Sequence, residues 1–201
     1  MSKRNGDMIK RNDPSRRRTL KLGYYIIYVD TQETEQNYIN GFRDSIPDNL
    51  KNNIVIKVQK VNTANLLSDA IYEASLEQQY REVWIILDRD EFKNFDKTIV
   101  EATNKKVKVG WSNPCIETWF HAHFENSPNI TNSQLCISKF RLIYENNIAQ
   151  EYKKNDKDIY KKLQKYGDET NAIKNMKTKK KSYHEKKGRL SRQVQRKVRK
   201  S

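Results

Sequence analysis

The residues best suited to chemistry are acidic. Leu87-Asp88-Arg89-Asp90-Glu91 follows directly on the apolar run Val83-Trp84-Ile85-Ile86-Leu87. Side chains alternate along a strand and its extension, so Asp88 and Asp90 point the same way, with Cα atoms roughly 6–7 Å apart. Carboxylates held that close repel unless a cation lies between them, and hard divalent ions such as Mg²⁺ or Mn²⁺ favour oxygen ligands. The alternative for the same residues is a solvated acidic turn that caps the next helix. A second acidic group, Asp30, Glu33 and Glu35, follows the apolar run Tyr24–Val29. Glu33 and Glu35 also sit where acids favour a helix N-terminus, whereas Asp30 ends a strand. If the strands closing at Val29 and Leu87 are neighbours, both groups meet at one edge of a sheet.

Other chemistries are poorly served. Residues 30–40 contain no glycine and no GxxxxGK[ST] pattern occurs, so a phosphate-cradling loop is not expected. His121 and His123 lie two apart in an aromatic segment and would point to different helix faces, which suits packing or support better than shared ligation. Cys115 has no evident general-base partner. Cys115 and Cys136 show neither metal-ligand nor CxxC spacing and read as reduced thiols.

These groups need elements to position them. Tyr24–Val29, Ile54–Val61 and Val83–Leu87 read as strands, with Val107–Trp111 as a weaker fourth. Helical spacing marks Glu33–Ser45 and Thr63–Gln79, the latter with Thr63 as a candidate N-cap. Pro114 opens a predicted aromatic helix to Phe124; Ser133–Asn147 and Asp156–Tyr166 also read as helices. Strand and helix alternate, which argues for βαβ units and a mainly parallel sheet with functional residues beyond its carboxyl ends.

The 201 residues carry a net charge of +15, unevenly spread. Residues 1–21 hold 8 Lys/Arg against 2 acids, and residues 174–201 hold 13 against one, while the middle is mildly acidic. Either end is a solvated tail or an attractor for a polyanion whose phosphates release counterions on binding. The expected organisation is a basic tail over 1–21, an α/β core over 22–125, a helical extension over 126–185 and a basic tail over 186–201. No apolar run approaches the ~20 residues that span a bilayer, and MSKRNGDMIK has no apolar signal core. The expectation is a cytoplasmic protein without membrane association.

The motifs resemble those of the RloB-like family, whose fold is related to the Toprim domain. They are Thr34-Glu35-Gln36-Asn37-Tyr38, then Asp88-Arg89-Asp90-Glu91, then Ser112-Asn113-Pro114-Cys115-Ile116-Glu117-Thr118-Trp119 with His123-Phe124. Tyr152-Lys153 and Ile159-Tyr160-Lys161-Lys162-Leu163 complete the pattern. One departure is the Glu-Gly of the family's first strand end, where this chain has Asp30-Thr31 with a six-residue loop, which keeps a carboxylate at the strand terminus, or Thr31-Gln32 with a five-residue loop.

The resemblance implies a Toprim-like, mainly parallel four-stranded sheet flanked by helices. It implies a metal-dependent nuclease acting on RNA, tRNA included, or on DNA. Such an effector belongs to a two-component abortive-infection system against phage, with an ABC/SMC-type ATPase in trans. Asp30, Glu35, Asp88 and Asp90 are then the catalytic candidates, and Asp88, Asp90, Glu91 and Glu117 the ligands for Mg²⁺ or Mn²⁺. Glu117 is alternatively a buried partner of Arg89. Phosphate contacts fall to Arg89, Lys153, Lys154, Lys179, Lys180, Lys181, Arg189 and Arg192. His123 supports the site, and Asn113 is either a helix cap or a phosphate contact. The altered Glu-Gly position leaves a second function open, a catalytically decayed nucleic-acid-binding or regulatory subunit.

Overall fold

β-Branched and aromatic side chains favour extended backbone, and the four runs rich in them pair into one sheet. The computed structural model describes residues 23–29, 33–51, 54–60, 65–76, 82–89, 94–126 and 129–179. The strands are β1 (Gly23–Val29), β2 (Ile54–Lys60), β3 (Glu82–Asp88) and β4 (Lys108–Ser112), in the order β2-β1-β3-β4. All pairs are parallel, and the register sets Val29 beside Lys60 and Ile86, and Asp88 beside Ser112. β1 is central, so the chain leaves it toward β2 on one side and β3 on the other. That reversal opens a crevice beyond the carboxyl ends of β1 and β3, the usual ligand position in open α/β sheets.

The helices are α1 (Thr34–Asp44), α2 (Leu66–Leu76), α3 (Phe95–Asn104), α4 (Glu117–Ala122), α5 (Ser133–Ile148) and α6 (Ile159–Tyr166). Residues 169–179 are helical as well. Ile26, Tyr28, Ile85 and Leu87 of the sheet pack with Leu66, Leu67 and Ala70 of α2 and Phe95 and Ala102 of α3. A second core lies among helices, where Tyr38, Phe120, Phe140, Tyr144, Tyr152, Tyr160 and Leu163 interlock α1, α4, α5 and α6. Ile27 and Val29 are buried too, so β1 is covered on both faces. The α/β class with a parallel sheet and added helices is as expected. Among the described residues no helix is long and apolar enough to cross a membrane.

Four local features differ from the sequence expectation. α3 has no counterpart among the predicted helices, although Phe95, Thr98 and Ala102 form its buried face at helical spacing. α4 starts at Glu117 rather than Pro114, with Ile116 at the N-cap and no side-chain cap bond; the Asn113–Pro114 peptide is cis. Asn113 is therefore not the cap; its carbonyl accepts the Thr118 hydroxyl at 3.2 Å. The residues between β4 and α4 instead fold back against β3, where the Ile116 N–H donates to Asp88. α6 begins at Ile159 rather than Asp156, and Asp156 accepts the Asp158 N–H at 3.0 Å in the turn just before it. Thr63 and both basic tails lie outside the described residues, and so does the boundary at 186.

The seam between α1 and α6 is close at Gly41, where an added Cβ would fall 2.5 Å from Tyr160 Cβ. At Gly110 it would meet Ile86 Cδ1 at 2.6 Å, the far end of a flexible side chain. Gly41→Ala should therefore cost about 1–3 kcal/mol by overpacking, despite the ~1 kcal/mol helix advantage of Ala over Gly. Gly110→Ala should cost less. Urea unfolding of both variants checks the order, and an unchanged or raised stability for Gly41→Ala would contradict this packing.

Candidate functional site

Asp88 is the last residue of β3, and its neighbours on β4 fix where it can go. The Arg89 N–H continues the ladder to the Ser112 carbonyl at 3.0 Å, and the Ile116 N–H reaches Asp88 Oδ2 at 3.3 Å. Glu35 lies in the first turn of α1, just after β1, where an acid suits the helix dipole. Its neighbour Thr34 donates its hydroxyl to the Lys154 carbonyl at 3.0 Å, tying α1 to the stretch between α5 and α6. Glu117 opens α4, and its Oε1 accepts the Tyr152 hydroxyl at 3.0 Å.

These three carboxylates come from separate stretches, yet all line one cleft of about 300 Å³ with Glu33, Cys115, Ile137 and Lys154. Glu35 is 3 % exposed, Asp88 6 % and Glu117 2 %. Acids so removed from water need donors or a cation near them. For Glu117 the donors are the Tyr152 hydroxyl and the Cys115 thiol. Burial first, and then the charge of Glu117, push the Tyr152 phenol far above the ordinary tyrosine range, so it keeps its proton at any working pH. Cys115 is a free thiol. Its hydrogen bond with Cys136, followed by burial, pushes it well up, which removes it as a nucleophile at neutral pH.

The stretch that carries Tyr152 and Lys154 is anchored through Asp156. Asp156 Oδ2 accepts the Tyr144 hydroxyl at 2.8 Å and the Lys162 ammonium at 2.9 Å. Burial alone would raise Asp156, but Lys162, Tyr144 and the Asp158 N–H outweigh it and hold the carboxyl below the ordinary aspartate range. Burial, with the bond to Asp156, pushes Tyr144 up to about 12.

The remaining sequence candidates are dispersed. The Arg89 guanidinium lies 5.5 Å over the Phe95 ring. Lys153 is exposed, with its ammonium 3.9 Å from Glu151. Lys179 is half-buried, and burial holds its ammonium below the ordinary lysine range. His123 is buried, its Nδ1 at 3.0 Å from the Trp119 carbonyl and its ring edge-on to Trp119, which is packing rather than ligation. Burial lowers the pKa of His121 and of His123. Asp30, Asp90, Glu91, Lys180, Lys181, Arg189 and Arg192 lie outside the described residues. Among the described residues no group of three or more His, Cys, Asp or Glu side chains is arranged to hold a metal ion. Thr34 and Tyr152 belong to the site although the sequence marks them only as positions of the family pattern and gives them no role in it; Tyr152 sits in an irregular stretch, where spacing carries no signal.

Asp156 binds its proton less readily folded than unfolded. Its contribution to stability is therefore fully present above the unfolded aspartate pKa of about 3.9, and it is lost as pH falls through the lower folded value. Asp156→Asn should be less stable than wild type at neutral pH, with the gap closing in acid. Urea titrations across pH check this, and a gap of constant size would contradict a role for the carboxylate charge.

The family model for RloB-like protein matches residues 25–199, which takes in the sheet, the helical layer and most of the basic C-terminal stretch. No curated protein and no solved structure matches the chain. With nearly the whole chain matched to that one model, and its acidic segments drawn to a single cleft, the chain belongs to the RloB-like family.

Proposed function

We propose that this chain is a metal-dependent nuclease that cleaves phosphodiester bonds, with RNA, tRNA included, ahead of DNA as its target. In this reading the sheet is of Toprim type, and the chain is the cytoplasmic effector of a two-component abortive-infection defence. An ABC/SMC-type ATPase acts beside it in trans. The observation that carries the reading is the convergence of Glu35, Asp88 and Glu117 in one cleft beyond the adjacent strands β1 and β3. Family membership supports it.

The donor chemistry of the cleft suits Mg²⁺ or Mn²⁺, because four carboxylate residues, Glu33, Glu35, Asp88 and Glu117, contribute to its lining. Asp88 and Glu117 would hold the ion, and Asp90 and Glu91 are needed to complete the set. When bound, such an ion stabilises the charge that develops on the scissile phosphate. The chain supplies the rest. Glu35, with Asp30 as the second candidate, takes a proton from the attacking water or returns one to the leaving oxygen. Lys154, whose residue lines the same cleft, offers an ammonium to the phosphate oxygens. A second reading, a decayed binding or regulatory subunit, is favoured by the Asp30-Thr31 pair at the family's Glu-Gly position.

Purified protein, alone and with its ATPase, should cleave RNA or DNA in Mn²⁺ or Mg²⁺, and Asp88→Ala should lower the rate by at least about 100-fold. Cleavage or cell toxicity unchanged in that variant would favour the binding-subunit reading. Residues 186–201 carry eight Lys/Arg. Their deletion should weaken polyanion binding and flatten its salt dependence by about 0.9 in log–log slope for each duplex phosphate no longer neutralised. The melting temperature should stay nearly unchanged; a large drop would mark the segment as structural.

A further inference from the structure

A buried carboxylate that is to share a cation must keep one oxygen free and its plane fixed. Glu117 meets water over only 2 % of its surface, and its Oε1 is taken by the Tyr152 hydroxyl at 3.0 Å. Tyr152 is itself buried, and it is held from two sides. Its ring stands edge-on to Phe140 with centroids 4.8 Å apart and tilts against Tyr144 at 5.3 Å. Tyr144 is fixed in turn by its 2.8 Å bond to Asp156. Two residues on from Tyr152, the Lys154 carbonyl is bound by Thr34 of α1. A hydroxyl clamped this way cannot follow the carboxylate; the carboxylate must conform to it. The geometry points to Tyr152 as a positioning residue: its hydroxyl holds Glu117 Oε1, beside the Cys115 thiol that also bonds this carboxylate, and so fixes the plane in which the group can meet a divalent cation in the cleft.

The inference rests on the metal-dependent reading above and adds the residue through which the helical layer governs that site. Donors behind a ligating carboxylate fix its orientation, and their loss typically weakens metal binding 10–100-fold. A tyrosine that merely filled the core would leave metal affinity alone when its hydroxyl is removed, because phenylalanine keeps the ring and its packing.

The experiment is Mn²⁺ titration followed by electron paramagnetic resonance, on the full chain. Tyr152→Phe should raise the Mn²⁺ dissociation constant about 10-fold, and cleavage that fails at limiting Mn²⁺ should return at saturating Mn²⁺. Added to Glu117→Gln, the same substitution should weaken binding no further. An unchanged affinity in Tyr152→Phe, or an equal loss with Glu117→Gln already present, would overturn the inference while leaving the nuclease reading intact. Failure of the wild-type chain to bind Mn²⁺ would overturn both. Should Tyr152→Phe not fold, fluorotyrosine at position 152 keeps the hydroxyl, and its fluorine resonance should broaden as Mn²⁺ is added. A resonance that stays sharp while Mn²⁺ binds would overturn the inference.

Discussion

Carboxylates out of water are costly unless donors or a cation compensate them, and this fold buries three of them around one small cleft. Glu35, Asp88 and Glu117 approach it from the start of α1, the end of β3 and the start of α4. The surrounding elements constrain them: the Ile116 N–H holds Asp88 and the Tyr152 hydroxyl holds Glu117. The link between β4 and α4 is folded against Asp88, and α1 is tied to the α5–α6 connection through Thr34. Much of the irregular chain is thus spent on holding acids in place. That arrangement is hard to explain as stabilisation, because hydrophobic side chains of similar volume would stabilise as well or better.

The two cores divide the labour. One glues α2 and α3 to a face of the sheet and fixes the register that sets Asp88 beside Ser112. The other, dense in aromatic rings, binds α1 to α4, α5 and α6 and reaches the cleft through Tyr152. The Asp156–Tyr144–Lys162 group locks the connection that carries Tyr152. The helical layer is therefore part of the site's architecture and not an appendage to the sheet.

The strands were legible because continuous β-branched and aromatic runs have few other uses, and the parallel order followed from their alternation with helices. The acids after β1 and β3 were legible for the same reason, since they sit at strand ends where an open α/β sheet gathers its ligands. α3 is hidden in the sequence although its buried residues recur at helical spacing, because it is only ten residues long and its buried face includes the polar Thr98 and the small Ala102. The start of α4 is ambiguous because Pro114 is as common in a turn as at a helix opening, and only the tertiary contact of Ile116 with Asp88 separates the two. The pairing of Tyr152 with Glu117 spans 35 residues and involves no regular element at the tyrosine, so nothing local announces it.

On this account the acids of the cleft are gathered to share a divalent ion. Anomalous scattering from crystals soaked in Mn²⁺ tests it most directly. A peak is expected in the cleft, with Asp88 and Glu117 oxygens at about 2.1 Å. An empty cleft at saturating Mn²⁺, with those oxygens turned to protein donors instead, would contradict it.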